Sequence, residues 1–233
     1  MIIIEAHSSY RSCDFYKAFL FMNETIAHIR KDYKLKSLSE DDVQADAIDQ
    51  FTTWWDEARK SDIDEVNAMT LATVSSGKPS ARIVLLKGYD KNGFIFFTNY
   101  QSNKGKELEE NPNATLLFFW KELERQVRIE GLVEKISKED SDAYFNSRPT
   151  GSKVGAWASA QSSVIANRET IEESFLSYSS KFKEGDIPRP PHWGGYIVKP
   201  AKIEFWQGRS SRLHDRLLYT KENGNWKIER LSP

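Results

Sequence analysis

Cationic side chains recur inside apolar, strand-like segments of this chain, where an unpaired charge is costly. Arg82 and Lys87 flank the apolar run 83–86, and Arg128 and Arg148 lie within or beside other apolar segments. A planar guanidinium can hold a phosphate through two hydrogen bonds. Any one of these residues could instead pair with one of the 34 acidic residues or extend to water. Their grouping in one small chain favours a site for an anion.

A further group is the alternating set Arg212, His214 and Arg216. Residues two apart share one face of an extended segment, so we expect these three side chains to lie together. Two guanidiniums beside the imidazole would lower the pKa of His214 and leave a neutral ring able to accept a proton near neutral pH. A solvated polar arm is the alternative. Trp206, a few residues upstream, is either a core aromatic or a stacking wall for a flat heterocycle.

Other chemistries find little support in the sequence. It contains no GxGxxG after a strand, no GxxxxGK[ST] and no GxSxG, which are the signatures of phosphate-binding loops and of a hydrolase nucleophile. The four histidines are scattered and Cys13 is the single cysteine, so we expect no metal site and no intrachain disulfide. With 33 basic and 34 acidic residues and a net charge of −1, no nucleic-acid partner is expected.

The location of the chain is expected to be cytoplasmic. The longest apolar run, residues 114–120, is too short to span a bilayer, and we expect no membrane association. The first residues lack the basic and apolar regions of a signal peptide. A transit peptide is conceivable from the aromatic and basic residues of 11–22, but Glu5 and Asp14 argue against it.

The elements that must position these residues are predicted from periodicity and turn signals. Aromatic residues make up 12% of the chain, which favours a β-rich core. Helices are predicted at 24–33, from the N-cap Asp46 onwards, and at 103–110, 137–148 and 168–182, the fourth being stopped by 149–151. Strands are predicted at 68–74, 80–86, 93–98, 115–120, 126–136, 195–198, 203–206, 216–219 and 226–231.

Tight turns at 75–78 and 90–93 separate the first three strands, and these turns predict an antiparallel meander. With strands at both ends of the chain and helices between them, we expect one α+β domain: an antiparallel barrel closed by its last strands.

From about Ile26 to Pro233 the chain resembles the pyridoxine/pyridoxamine 5′-phosphate oxidase family. The resemblance rests on motifs in the same order and at family-like spacing. They are RIVLLK at 82–87, ERQV at 124–127, YFNSRP at 144–149, QSS at 161–163, WGG at 193–195, EFWQG at 204–208, RLHDR at 212–216 and WKIERLSP at 226–233.

The resemblance implies an FMN-binding split β-barrel, with flanking helices, that works as a homodimer with the flavin at the subunit interface. The residues implied to hold FMN are Arg82, Ile83, Val84, Leu85, Phe97, Thr98, Lys104, Gln126, Gln161, Ser162, Trp206 and Arg216. The residues implied to hold the substrate are Lys87, Tyr144, Arg148 and Ser152 at its phosphate, Arg212, Leu213 and His214 at its pyridine ring, and Arg30 and Tyr33 in an N-terminal lid.

The reaction implied is oxidation of pyridoxine or pyridoxamine 5′-phosphate to pyridoxal 5′-phosphate by hydride transfer from C4′ to N5 of the flavin, with oxygen reduced to hydrogen peroxide. Arg212 and His214 would be catalytic, orienting the ring and assisting proton removal. The implied division is an extension at 1–23, a lid segment at 24–45 and a catalytic domain at 46–233. The chain departs from the family at Asn103, where an arginine usually helps to hold the FMN phosphate.

Two other interpretations compete with this one. A split-barrel flavoprotein with another substrate, or with a deazaflavin, would tend to lack the substrate set that is complete here. A non-catalytic carrier of flavin or pyridoxal phosphate could keep the phosphate-binding residues but would not need Arg212 and His214. A turnover assay separates catalyst from carrier.

Overall fold

The computed structural model describes residues 26, 28–182 and 186–233. Within them the α-helices are α1 (Ala47–Arg59), α2 (Asn103–Glu110), α3 (Lys138–Ser147), α4 (Thr150–Ala158) and α5 (Arg168–Lys181). The strands are β1 (Ala68–Ser75), β2 (Lys78–Leu85), β3 (Gly88–Asp90), β4 (Gly93–Asn99), β5 (Asn113–Trp120), β6 (Arg125–Lys135), β7 (Trp193–Gln207), β8 (Asp215–Glu222) and β9 (Asn225–Arg230). The predicted extension 1–23 lies outside the described residues.

Helix α1 begins where the sequence predicts. The Asp46 carboxylate accepts the backbone N–H groups of Ile48 and Asp49, which leaves two fewer unpaired donors at the helix start. The buried face of α1 carries Phe51 and Trp54. The ring of Phe51 lies 4.9 Å from that of Phe94 on β4, so the helix covers the aromatic core of the sheet.

All nine strands pair antiparallel in one sheet, in the order β2-β1-β5-β6-β7-β4-β3, with β8 and β9 attached to β7. The fifteen-residue strand β7 organises this arrangement. It pairs along β6 on one side, and on the other side with β4 over its first half and with β8 over its second half. The predicted strands 195–198 and 203–206 are therefore one continuous strand.

Two predictions about the sheet are wrong. The first three predicted strands do not form a meander, because 93–98 pairs with β7 and not with β2. The last strands do not close a barrel, because β8 and β9 extend from β7. The sheet edges β2 and β3 are instead consecutive in sequence, joined by Leu86 and Lys87, and Lys87 N donates to the Ile95 carbonyl at 2.8 Å. The fold is a single α+β domain around an antiparallel sheet that remains open, as in a split barrel.

A small second core lies between α3, α4 and the start of β7. Its buried members are Phe145, Val154, Ile187 and Trp193. Ser137 caps α3 by accepting the Asp140 N–H, as predicted. The predicted stop at 149–151 is only half right, because α3 ends before Pro149 and a second helix, α4, begins directly after it.

The predicted helix at 24–33 is wrong in its second half, although Ile26 is helical. Residues 29–33 are not helical. They begin an extended segment, 29–38, that runs along the ends of β6 and β7.

Candidate active site

A cavity of about 580 Å³ opens where the sheet is split, between β2, β4 and the α3–α4 corner. It brings together all four residues predicted to hold a substrate phosphate and four of those predicted to hold the cofactor. Its lining is Leu85, Lys87, Phe97, Thr98, Asn99, Tyr144, Arg148, Pro149, Ser152, Gly155, Ala156, Ser159, Gln161 and Trp193.

Arg148 is the cation of this cavity whose charge is least compensated by the protein. Its Nη1 is buried without a hydrogen-bond partner among the described residues, and burial lowers the pKa of its guanidinium. The guanidinium carbon lies 4.5 Å from the centre of the Trp193 ring, a contact that positions the charge but does not neutralise it. In the described part of the chain, the Lys87 ammonium likewise has no ion pair or hydrogen bond. Lys87 is exposed to water whereas Arg148 is partly buried, so the cavity is lined by two cations without a protein partner, one of them partly desolvated.

Aromatic stacking fixes the wall behind these cations. The rings of Phe97 and Tyr144 stack at 3.9 Å between centres, and Phe97 stacks on Trp193 at 5.5 Å. The three rings are near-parallel and form one wall of the cavity. Sequence reasoning treated Trp193 only as part of a motif, and it missed Gly155, Ala156 and Ser159 with the helix α4 that carries them.

A second group of polar residues surrounds the start of α2. Lys104 Nζ donates to Gln161 Oε1 at 3.0 Å, and Thr98 Oγ1 donates to the same oxygen at 3.2 Å. Burial, and then the nearby Arg82, lower the pKa of Lys104, while Glu107 opposes the shift. Arg82 itself is paired with Glu107 at 2.8 Å. Two cations beside one carboxylate leave one positive charge without a counter-charge, which suits a further anionic group.

His214 lies in a separate cavity of about 480 Å³ with Arg30, Tyr33 and Arg212. The centre of its ring is 4.6 Å from that of Trp206. The Arg209 N–H donates to His214 Nδ1 at 3.1 Å, so the neutral imidazole carries its proton on Nε2. The ring thus presents an N–H donor to the cavity.

The predicted common face of Arg212, His214 and Arg216 is wrong. Residues 210–212 form a 3-10 turn in which Arg212 has φ +61, so strand β8 starts only at Asp215. Arg216 points away and pairs with the buried Glu204 at 2.8 Å. The predicted direction of the His214 pKa holds, because burial lowers it first and Arg212 second, without a contribution from Arg216.

Three further cofactor candidates, Gln126, Trp206 and Arg216, line a third cavity of about 210 Å³ together with Arg128, Glu204 and Pro233. No residue lines more than one of the three cavities. Six predicted site residues line none of them: Arg82, Ile83, Val84, Lys104, Ser162 and Leu213. The predicted site residues of one chain therefore form separate part-sites.

Across the described residues, no group of three or more His, Cys, Asp or Glu side chains is arranged to hold a metal ion. No helix in the described ranges is long and apolar enough to cross a membrane.

Comparison with known families matches two models to this chain. Residues 55–178 match the model described as pyridoxamine 5′-phosphate oxidase. Residues 193–233 match the model described as the pyridoxine 5′-phosphate oxidase C-terminal dimerisation region.

Similar proteins of known name align over almost the whole chain. A pyridoxine/pyridoxamine 5′-phosphate oxidase of Nostoc punctiforme is 59% identical over 214 residues, covering 91% of this chain and 100% of the relative. One from Cupriavidus metallidurans is 58% identical over 210 residues, covering 89% of this chain and 99% of the relative.

Among solved structures, PhzG from Burkholderia lata, in complex with tetrahydrophenazine-1-carboxylic acid, superposes with a TM-score of 0.81 at 30% identity, covering 87% of this chain and 100% of that one. A pyridoxamine 5′-phosphate oxidase-related, FMN-binding protein of Nostoc punctiforme superposes with a TM-score of 0.65 at 18% identity, covering 82% of this chain and 100% of that one. The second likeness shows the shared fold.

Proposed function

This chain belongs to the pyridoxine/pyridoxamine 5′-phosphate oxidase family, and on that premise we propose that it oxidises pyridoxine 5′-phosphate or pyridoxamine 5′-phosphate to pyridoxal 5′-phosphate, with FMN as cofactor and oxygen as the final acceptor. We place the activity in residues 46–233, with 24–45 as a lid and 1–23 as an extension.

The observation that carries the proposal is the partly buried, unpartnered guanidinium of Arg148, with Lys87 beside it at the same cavity. A partly buried guanidinium without a partner is costly in the free protein, and a phosphate dianion would remove that cost. Tyr144 and Ser152 line the same cavity and would add two neutral hydroxyl donors. A phosphorylated substrate fits this donor set better than an uncharged one.

The polar group at the start of α2 suits the phosphate of FMN. Arg82, Lys104, Thr98 and Gln161 supply two cations and two neutral donors on neighbouring elements. Bound FMN would supply the redox chemistry, taking a hydride from C4′ of the substrate at N5 and passing two electrons to oxygen to give hydrogen peroxide. The protein's own task is to hold C4′ against the flavin and exclude water.

We propose a homodimer in which each complete site combines part-sites of two subunits. The matched dimerisation region spans 193–233, and it contains Trp206, Arg212, His214 and Arg216. The four residues proposed to bind the substrate phosphate lie outside this region, and of the residues that line their cavity only Trp193 lies within it. A dimer contact that brings the Arg148 cavity of one subunit against the residues 206–216 of the other would explain why the predicted site residues of one chain are separated.

Arg212 and His214 would contact the pyridine ring of the substrate. The Nε2–H of the neutral His214 favours a donor role, in which it would hold a ring substituent while Arg212 supplies a positive charge beside it. His214 Nδ1 is engaged by the Arg209 N–H, so proton acceptance there would require that hydrogen bond to break.

An alternative substrate is a tricyclic carboxylic acid, because PhzG, the structural relative with the TM-score of 0.81, is in complex with tetrahydrophenazine-1-carboxylic acid. A ligand of that kind carries a carboxylate and no phosphate. A requirement for the substrate phosphate would favour the vitamin B6 substrates over a tricyclic acid.

Aerobic turnover of the full-length protein with added FMN tests the proposal. Pyridoxal 5′-phosphate and hydrogen peroxide should appear in equal amounts from pyridoxine 5′-phosphate, with much less product from unphosphorylated pyridoxine. An FMN-loaded protein that makes neither product would contradict the proposed activity and leave the fold assignment intact.

A further inference from the structure

We propose that Glu124 is a positioning residue that fixes the extended segment 29–38, hereafter the strap, so that Tyr33 covers the cavity of His214. The inference rests on the proposed function, because it assigns the strap a part in substrate binding. Glu124 does not line the His214 cavity, and it would act through the strap.

The carboxylate of Glu124 is almost fully buried and is bonded mainly to the strap. Its Oε2 accepts the backbone N–H groups of Lys34 at 2.8 Å and Leu35 at 3.1 Å. Its Oε1 lies 3.3 Å from the Lys31 ammonium. With the strap in place the residue is only 3% exposed, so these contacts to its charge form away from bulk water, where a charged hydrogen bond is stronger.

The turn that carries Glu124 is itself fixed by the end of β7. Glu124 adopts a left-handed conformation, φ 55 and ψ 40, which a side chain other than glycine seldom takes without support. The Gly208 N–H donates to the Glu124 carbonyl at 2.7 Å, and the buried Gln207 amide donates to the same carbonyl at 3.2 Å. Arg125 donates to Gln207 in turn at 2.9 Å. The carboxylate is therefore held on a rigid base.

The end of β7, which fixes the Glu124 turn, continues directly into the loop that carries His214. Tyr33 is edge-on to Trp206 at 5.8 Å and lies 6.1 Å from His214 between ring centres. At Gly208 an added Cβ would lie 2.7 Å from Tyr33 ring atoms, so only glycine allows the ring this close. Glu124 holds the strap on one side and Gly208 accommodates Tyr33 on the other.

A role in holding the strap explains the contacts of the Glu124 carboxylate better than a role in fold stability alone. A carboxylate that served only the turn would bond the turn's own N–H groups, whereas Glu124 accepts from residues about 90 positions earlier in the chain. We infer that the charge of Glu124 sets how much of the time the strap lies closed, and thus the affinity for substrate.

The test compares three variants of the full-length, FMN-loaded protein. Glu124→Gln keeps the shape of the side chain and removes its charge. Glu122→Gln is the matched control, since Glu122 is an exposed residue of the same turn and makes none of the strap contacts. Gly208→Ala disturbs Tyr33 independently and keeps the proposal testable if Glu124→Gln fails to fold.

Two measurements are made on each variant: the rate of tryptic cleavage after Lys34 and Lys36, and kcat and KM separately. For Glu124→Gln we expect cleavage and KM each to rise about tenfold, the equivalent of one charged hydrogen bond, with kcat within about twofold of the parent. Gly208→Ala should act in the same direction, and Glu122→Gln should match the parent.

The inference is overturned if Glu124→Gln matches Glu122→Gln in both measurements, or if kcat falls while KM and cleavage stay unchanged. If the parent protein shows no turnover, the proposed function fails by itself. In that case equal cleavage rates for the two glutamine variants would overturn the assignment of Glu124, and a faster rate for Glu124→Gln would support its hold on the strap.

Discussion

Replacement of Arg148 by methionine probes the feature on which the functional proposal depends. The methionine stem can still lie over the Trp193 ring, while the guanidinium and its unpartnered Nη1 are removed. A hydrogen bond to a charged group is worth roughly 1.5–3 kcal/mol, so kcat/KM for pyridoxine 5′-phosphate should fall roughly 10- to 150-fold. For unphosphorylated pyridoxine, which has nothing to offer the guanidinium, kcat/KM should stay within about threefold.

The same variant separates phosphate binding from fold stability. Loss of the cation–π contact with Trp193 costs about 0.5–1 kcal/mol, and this loss is offset by removal of a partly buried charge without a partner. Denaturant unfolding of the FMN-free protein should therefore give a free energy within about 1 kcal/mol of the parent. Arg168→Met, which removes an exposed helix-surface pair, is the matched control. Equal losses of activity on both substrates, or a large loss of stability, would refute the reasoning.

Three other outcomes follow from the same site. Mixing the impaired variants Arg148→Met and His214→Gln under subunit exchange should raise turnover of pyridoxine 5′-phosphate to about one quarter of the parental value, because half of the dimers are mixed and each holds one intact site of two; no recovery would place each site within one subunit. Arg212→Gln should shift the acidic limb of the kcat/KM–pH profile to higher pH. Arg212 is the second cause that lowers the His214 pKa below its usual 6.5, so its removal raises that pKa, and the neutral ring is the active form; an unmoved limb would contradict this. Asn103→Arg should tighten FMN binding roughly 10- to 150-fold in a fluorescence titration; an unchanged dissociation constant would refute a phosphate role at this position.

Elements specified by local chemistry were predictable from the sequence. The Asp46 cap, the Ser137 cap and helix α2 occur where side-chain hydrogen bonding and periodicity place them. Each depends on residues within one turn of one another, so no knowledge of the rest of the fold is needed.

Long-range pairing was not predictable in the same way. The partner of β4 is β7, about 100 residues later in the chain, whereas the tendency of neighbouring strands to pair favours β2. Helix α4 was missed because Pro149 and Gly151 resemble a stop signal, although proline also suits a position just before a helix start. A left-handed Arg212 breaks the expected alternation, and nothing in the residue type signals it.

The candidate site also combines features that the sequence predicts with features that depend on long-range contacts. Lys87, Tyr144, Arg148 and Ser152 gather around one cavity, but they come from three elements, and only the resemblance to a family grouped them in advance. The proposed role of Glu124 is not visible in the sequence, because two of its three strap partners are backbone N–H groups, which almost any residue could provide.

The central claim is that a vitamin B6 phosphate is oxidised by a flavin held in this chain, and the half-reaction without oxygen tests it most directly. The FMN-loaded protein is mixed with one equivalent of pyridoxine 5′-phosphate in an anaerobic stopped-flow cell, and flavin absorbance near 450 nm is followed. Our account predicts bleaching as pyridoxal 5′-phosphate forms, recovery when oxygen is admitted, and far slower bleaching by unphosphorylated pyridoxine. Flavin that stays oxidised with saturating substrate would contradict the account.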